Sequence, residues 1–259
     1  MEDPSLSVLL LLGLAALTAG FVDSVVGGGG LIQLPALLLG LPGASPVQIL
    51  ATNKLGSVCG TSISSITYYR RVRPDPRAVL PLMAAAFVGS AAGALVASQV
   101  PRSAFEPIVL VALVLVGAYV VARPELGEVT ALRFAGRGHT LAAVGAGVLI
   151  GFYDGALGPG TGSFFVFTLV GLLGYAFLEA SAQARMANFA TNLAAFLVFL
   201  PQGAILWKVG LVLGVCNLAG SYVGARTAVS RGTGFVRVFF VVVVSGFVLK
   251  IGGDVVGVW

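Results

Sequence analysis

Charge is what this chain has least of. Only 10% of its 259 residues are Asp, Glu, Lys or Arg, against roughly a quarter in a soluble domain. Together with 58% hydrophobic residues and a mean hydropathy of +1.01, that shortage excludes an ordinary soluble fold. No stretch is long and polar enough for a separate soluble domain, so residues 1–259 read as one integral membrane domain whose constant partner is the lipid bilayer. Histidine and cysteine are nearly absent too. His139 is the only histidine, at a loop–span junction, and reads as interfacial rather than as a base. Cys59 and Cys216 lie in apolar segments without metal-ligand spacing and read as buried free thiols. A Walker loop, a His-Glu-x-x-His motif and a nucleophile elbow are all missing, which disfavours an ATP-driven pump, a zinc hydrolase or a serine hydrolase. An enzyme working on a lipid or quinone would want His, Cys or carboxylates clustered near one face, and there is no such cluster. No catalytic residue, metal or cofactor is expected.

The net charge of +5 and pI near 9.6 do not point to nucleic acid. The positive residues sit between apolar segments, where the positive-inside rule accounts for them. The first residues, Met1-Glu2-Asp3-Pro4, lack the basic start of a secretory signal, so the first apolar segment is expected to be a retained span.

What is there is a duplication. Gly20-Phe21-Val22-Asp23-Ser24-Val25-Val26-Gly27-Gly28-Gly29-Gly30 is echoed by Gly151-Phe152-Tyr153-Asp154-Gly155-Ala156-Leu157-Gly158-Pro159-Gly160, 131 residues further on. The same offset joins Gly89-Ser90-Ala91-Ala92-Gly93-Ala94 to Gly220-Ser221-Tyr222-Val223-Gly224-Ala225. Apolar runs predict ten segments, at about 6–26, 31–41, 46–69, 78–98, 105–122, 139–157, 163–178, 182–201, 209–228 and 235–252. The second, with Pro35, and the seventh follow glycine clusters, are short, and read as halves of broken helices. The first repeat covers about 6–122, the second about 139–252, and a linker covers 123–138. Arg70, Arg71, Arg73 and Arg77, then Arg123, Arg133 and Arg137, then Arg226, Arg231 and Arg237 form three basic clusters. Arg102 and Lys208 are the few positive residues in the opposite loops. If all ten segments cross, loops 70–77, 123–138 and 226–237 share the cytoplasmic face and both termini lie outside. Five crossings per repeat, an odd number, turn the second repeat upside down. The expected fold is therefore all-α: about ten transmembrane segments, some short or broken, in two inverted repeats. That is a common transporter plan with substrate held near the midplane, and a homodimer is compatible with it.

Glycine lets a helix stop and restart and lets a ligand approach the backbone. Half-helices starting after Gly30 and after Gly162 would turn unpaired N–H groups and positive dipole ends toward a buried anion, which makes Gly28, Gly29, Gly30, Gly160, Thr161 and Gly162 expected substrate contacts. Close helix packing is the competing role of such glycines, and it suffices for Gly89, Gly93, Gly220 and Gly224. Asp23 and Asp154 hold equivalent places. Each is either a proton carrier or a structural group that caps the next half-helix or pairs with a cation such as Lys54. The third segment carries Thr52, Asn53, Lys54, Ser57, Thr61, Ser62, Ser64 and Ser65, with Asn53, Ser57, Thr61 and Ser65 on one helical face. Asn188, Thr191 and Asn192 echo it in the eighth, where either Asn188 or Asn192 aligns with Asn53. Amide and hydroxyl donors suit a small anionic substrate, although the same groups can tie helices together. Gln33, Gln183 and Asn217 are secondary contacts. Arg185 and Glu179 read as interfacial, and Lys250 with Asp254 as a helix-end pair.

With these residues, the sequence resembles the sulfite exporter TauE/SafE family along nearly its whole length. The first glycine cluster, Ala51-Thr52-Asn53-Lys54-Leu55 and the glycine-rich stretch 151–162 carry the likeness. The resemblance implies a secondary transporter of the bacterial inner membrane for sulfur-containing anions such as sulfite, thiosulfate or organosulfonates, and some relatives are linked to other organic anions. Proton-coupled export is the expectation, with a passive anion channel as the alternative. The second repeat departs from the first at Pro159 and, in the alignment taken here, at Leu193 where the first has Lys54.

Overall fold

The computed structural model describes residues 4–97 and 127–256. The expected fifth segment, 105–122, with Arg102 and Arg123, lies outside the described residues, as do the side chains of Lys250 and Asp254. All regular elements among the described residues are helical: α1 (Leu6–Val26), α2 (Gly30–Gly40), α3 (Pro46–Val72), α4 (Pro76–Val96), α5 (Gly136–Ala156), α6 (Thr161–Thr168), α7 (Phe177–Phe199) and α8 (Trp207–Val256). A π-helical turn, Leu169–Leu173, continues α6. Gly232, at φ 76°, breaks α8 into two limbs. Among the described residues, three helical stretches are long and apolar enough to cross a membrane: Leu6–Val26, Pro76–Val96 and Trp207–Val243.

Several ends are written in local chemistry. Ser5 caps α1, Ser45 and Gln48 form a reciprocal capping box on α3, and Asp75 caps α4 ahead of Pro76. The shorter helices α2 and α6 start from glycine without a side-chain cap of their own N-cap residue. Apolar runs placed the eighth segment at 182, whereas α7 begins at Phe177. Its first turns carry Glu179, Gln183 and Arg185, and polar residues in a buried helix hide its start from a hydropathy reading.

The outer surface is apolar. On α1, Leu6, Leu10, Leu14 and Leu17 are exposed, while Leu12, Ala16 and Ala19 face inward. Leucines repeating every three to four residues on an outward stripe belong against lipid rather than water. The tightest packing joins α4 to α5 and α1 to α8. Glycine makes both contacts. A Cβ on Gly93 would lie 2.1 Å from the Phe152 carbonyl oxygen, and one on Gly220 would lie 1.9 Å from that of Leu17. Gly89 meets Val148 and Phe152, as Gly220 and Gly224 meet Leu17 and Phe21, so each contact recurs 131 residues on. Packing is the role of these four glycines.

Gly93→Ala and Gly220→Ala should each force a helix pair apart and destabilise by about 1–3 kcal/mol. Gly145, with nothing within 4 Å of its missing Cβ, is the control. There, Ala should stabilise by about 0.5–1 kcal/mol. Thermal melting in detergent checks both, and equal melting temperatures across the three variants would remove the packing argument.

Both cysteines are free, but they are half-buried rather than buried. His139 meets the Tyr175 hydroxyl at 2.8 Å through Nε2, a contact between the start of α5 and the chain before α7. Among the described residues no group of three or more His, Cys, Asp or Glu could hold a metal ion.

Candidate functional site

The chain breaks twice in the same way. After α1, Gly27 (φ 87°) and Gly28 (φ 93°) turn the backbone before α2 starts at Gly30. After α5, Gly158 (φ 94°) and Gly160 (φ 79°) do the same before α6 starts at Thr161. Positive φ at four positions explains the glycines, since side chains rarely tolerate it. The two breaks touch. A Cβ on Gly27 would stand 2.2 Å from Gly162 carbonyl carbon and from Ser163 nitrogen. Ser163 donates to the Val26 carbonyl at 3.2 Å across this crossing.

Two buried ion pairs flank the breaks. Lys54 Nζ on α3 donates to Asp154 Oδ2 on α5 at 2.6 Å, with 1% and 2% of the two side chains exposed. Arg185 Nη1 on α7 lies 3.0 Å from Asp23 Oδ2 on α1 and also donates to the Asp23 carbonyl. Asp23 and Asp154 are 131 residues apart, and so are Lys54 and Arg185. Each cation therefore pairs with the carboxylate of the other repeat.

Amides join the two pairs. Lys54 Nζ donates to Asn192 Oδ1 at 3.2 Å, Asn192 Nδ2 to the Asn188 carbonyl at 2.8 Å, and Asn188 Nδ2 reaches Asp23 Oδ2 at 3.5 Å. Asp23 Oδ1 also accepts from the Gly29 amide at 3.2 Å, so Asp23 caps α2 while pairing with Arg185. The offset that joins the aspartates also sets the register of α3 on α7. Lys54 corresponds to Arg185, not Leu193. Asn53 corresponds to Ala184 rather than to Asn188 or Asn192, and Ser57 corresponds to Asn188. Arg185, expected at an interface, is fully buried.

Between the breaks lies a cavity of about 20 Å³, room for roughly one water molecule. Of the expected residues, Asp23, Gly28, Gly29, Gly30, Asn53, Lys54, Ser57, Asp154, Gly160, Thr161, Gly162, Asn188 and Asn192 line it. Gly158, from the second glycine cluster, and Asn217, expected as a secondary contact, line it as well. Three expected residues do not. Gln33 Oε1 accepts from Asn217 Nδ2 at 2.7 Å, Thr52 accepts from the Leu206 amide at 3.0 Å, and Thr191 donates back to the Asn188 carbonyl at 3.0 Å. Thr61, Ser62, Ser64 and Thr67 likewise bond back to their own helix, as hydroxyls inside helices often do. At the start of α2 the Gly29 amide donates to Asp23 and the Leu31 and Ile32 amides donate to the Gly28 and Gly29 carbonyls, whereas helix geometry leaves the first amides of α6 without intrahelical acceptors. The cavity thus combines amide donors, two helix N-termini and a cation already balanced by a carboxylate.

An apolar-faced helical body around a buried polar centre defines an integral membrane protein. The chain belongs to the sulfite exporter TauE/SafE family, whose profile matches residues 12–251. It is 38% identical over 255 residues to a "Probable membrane transporter protein ORF9" of Sinorhizobium sp, covering 98% of this chain and 96% of the relative. It is also 38% identical over 239 residues to the "Probable membrane transporter protein YfcA" of Escherichia coli K12, covering 90% and 87%. Identity to a "Probable membrane transporter protein" of Haemophilus influenzae is 34% over 244 residues, covering 93% and 92%. No solved structure matches the chain. These relatives are named as transporters, not as enzymes, and the chain is a membrane transporter of this family.

Proposed function

We propose that the chain is a secondary carrier of a small sulfur-containing oxyanion, such as sulfite, thiosulfate or an organosulfonate, working in export across a bacterial inner membrane. The observation that carries this reading is the cavity where the N-termini of α2 and α6 converge with Asn53, Lys54, Asn188 and Asn192. Helix N-termini and neutral amides attract an anion without a fixed excess of charge. Room for one water is too little for sulfite, so the cavity is read as a closed form that must widen to load.

The same reading takes ten crossings in two inverted repeats around this site. The crossed ion pairs, the paired helix breaks and the break of α8 at Gly232 support it. Two contacts support a cytoplasmic face shared by 123–138 and 226–237: Arg237 on the second limb of α8 pairs with Glu128 at 2.8 Å, and His139 at the start of α5 meets Tyr175.

Proteoliposomes loaded with each anion test the proposal. Saturable counterflow of at least one anion is expected, faster with an imposed pH gradient. Asp154→Asn should abolish the response to the gradient, since Asp154 is the less exposed carboxylate and faces the cavity. Flux proportional to concentration without saturation would mean a channel. Flux blind to the gradient in wild type and in both Asp23→Asn and Asp154→Asn would end the coupling claim.

A further inference from the structure

Arg185 is the largest fully buried side chain described, yet it uses only part of its hydrogen-bonding capacity. Nη1 serves Asp23, but Nε and Nη2 have no partner. Buried donors left unmet are costly, and three N–H groups of one guanidinium are unmet at once. Arg185 is not among the residues that line the cavity beside Lys54. Nη2 instead lies 2.6 Å from where a Cβ on Gly162 would be, against the crossing of the two breaks. The equivalent region around Lys54 is looser. A Cβ on Gly158 would find Lys54 Nζ at 3.6 Å, and one on Gly30 would find the Gly158 carbonyl oxygen at 3.4 Å. The two repeats therefore present equivalent cations in unequal states, one beside a small cavity and one behind a closed crossing.

We propose that Arg185 is a second anion-binding cation, sealed here behind the Gly27/Gly162 crossing, which meets the anion when that crossing parts and Lys54 is closed off. This rests on the carrier reading above and adds to it an alternation between two cations. The unmet N–H fork explains why the second repeat uses arginine. A guanidinium can hold Asp23 with one edge and still offer two parallel donors to an oxyanion, which a lysine ammonium cannot. Gly162 explains how it reaches the crossing, since any side chain there would occupy the guanidinium's place.

The test separates anion binding from simple charge balance. Sulfite, thiosulfate and sulfoacetate exchange is measured in proteoliposomes for wild type, Arg185→Gln, Arg185→Lys and Arg185→Gln with Asp23→Asn. The double variant has no unbalanced carboxylate, so it should melt near wild type yet exchange at least about tenfold more slowly. Arg185→Lys keeps the charge but loses the fork, and should raise KM about tenfold with little change in kcat. Ser163→Cys, placed in a Cys59→Ser, Cys216→Ser background, reports the crossing itself, and sulfite should change its alkylation rate several-fold. A double variant that exchanges like wild type, or Arg185→Lys with an unchanged KM, would reduce Arg185 to the counter-charge of Asp23 and overturn the proposal. Alkylation of Ser163→Cys indifferent to sulfite would overturn the opening of the crossing. Wild type that neither exchanges nor is thermally stabilised by any of the three anions would sink the carrier reading itself, whatever the Arg185 variants do.

Discussion

Lys54→Met should destabilise the protein by about 3–5 kcal/mol, because it leaves the Asp154 carboxylate buried without its cation. Only 2% of Asp154 is exposed, so water cannot replace the lost ammonium without opening the structure. Asp154→Asn alone should be costly for the converse reason, since Lys54 would keep only Asn192 as a partner. The double variant, Lys54→Met with Asp154→Asn, removes both charges and should recover to within about 1–2 kcal/mol of wild type. A double-mutant cycle by thermal or denaturant unfolding in detergent measures the coupling. The exposed pair Arg237–Glu128, 62% exposed at its carboxylate, serves as the contrast, since such pairs contribute about 0–1 kcal/mol. Stability should return in the double variant but transport should not, because Lys54 lines the cavity. A Lys54→Met variant that melts like wild type would mean that the carboxylate is hydrated or protonated, and the buried-pair argument would fall.

The pairing behind that prediction was half legible in the sequence. The 131-residue offset is plain in the glycine clusters and in the small-residue stripes, where backbones touch and leave no room for other residues. The offset is masked at Lys54 and Arg185, where the two cations differ in type and the nearby asparagines suggest another alignment. Those residues do not correspond: hydroxyls in one repeat stand where amides stand in the other, as with Ser57 and Asn188. A hydroxyl and an amide both supply hydrogen-bond donors, so the side chains differ between the repeats where the backbone breaks match. Arg185 is hidden in the sequence for a related reason. An arginine at the mouth of the expected eighth segment looks interfacial until a carboxylate from the other repeat is brought to it, and nothing local announces Asp23. The polar stripe on α3 divides along its length: Asn53 and Ser57 line the cavity, Thr61 bonds back to its own helix, and Ser65 has no hydrogen-bond partner.

The second large effect is expected at Gly27, and its counterpart Gly158 shows how much comes from each cause. Both stand at positive φ, 87° and 94°, where a side chain costs about 1–3 kcal/mol through the backbone alone. Only Gly27 is also jammed. Its Cβ would lie 2.2 Å from two backbone atoms of the second break, and neither can move without shifting the start of α6. At Gly158 the nearest atom is the Asp154 carbonyl oxygen at 3.5 Å, ordinary contact. Gly158→Ala should therefore lower stability by about 1–3 kcal/mol and leave a folded protein. Gly27→Ala should add overpacking to the same strain, a further ~1–3 kcal/mol or more, and block close approach of the two breaks. Purification yield, melting temperature and anion exchange of the two variants separate the causes. Equal losses at both positions would mean that backbone strain alone sets the cost. A larger loss at Gly27, with exchange abolished even where folded protein is recovered, is the result that a closing contact between the two breaks requires.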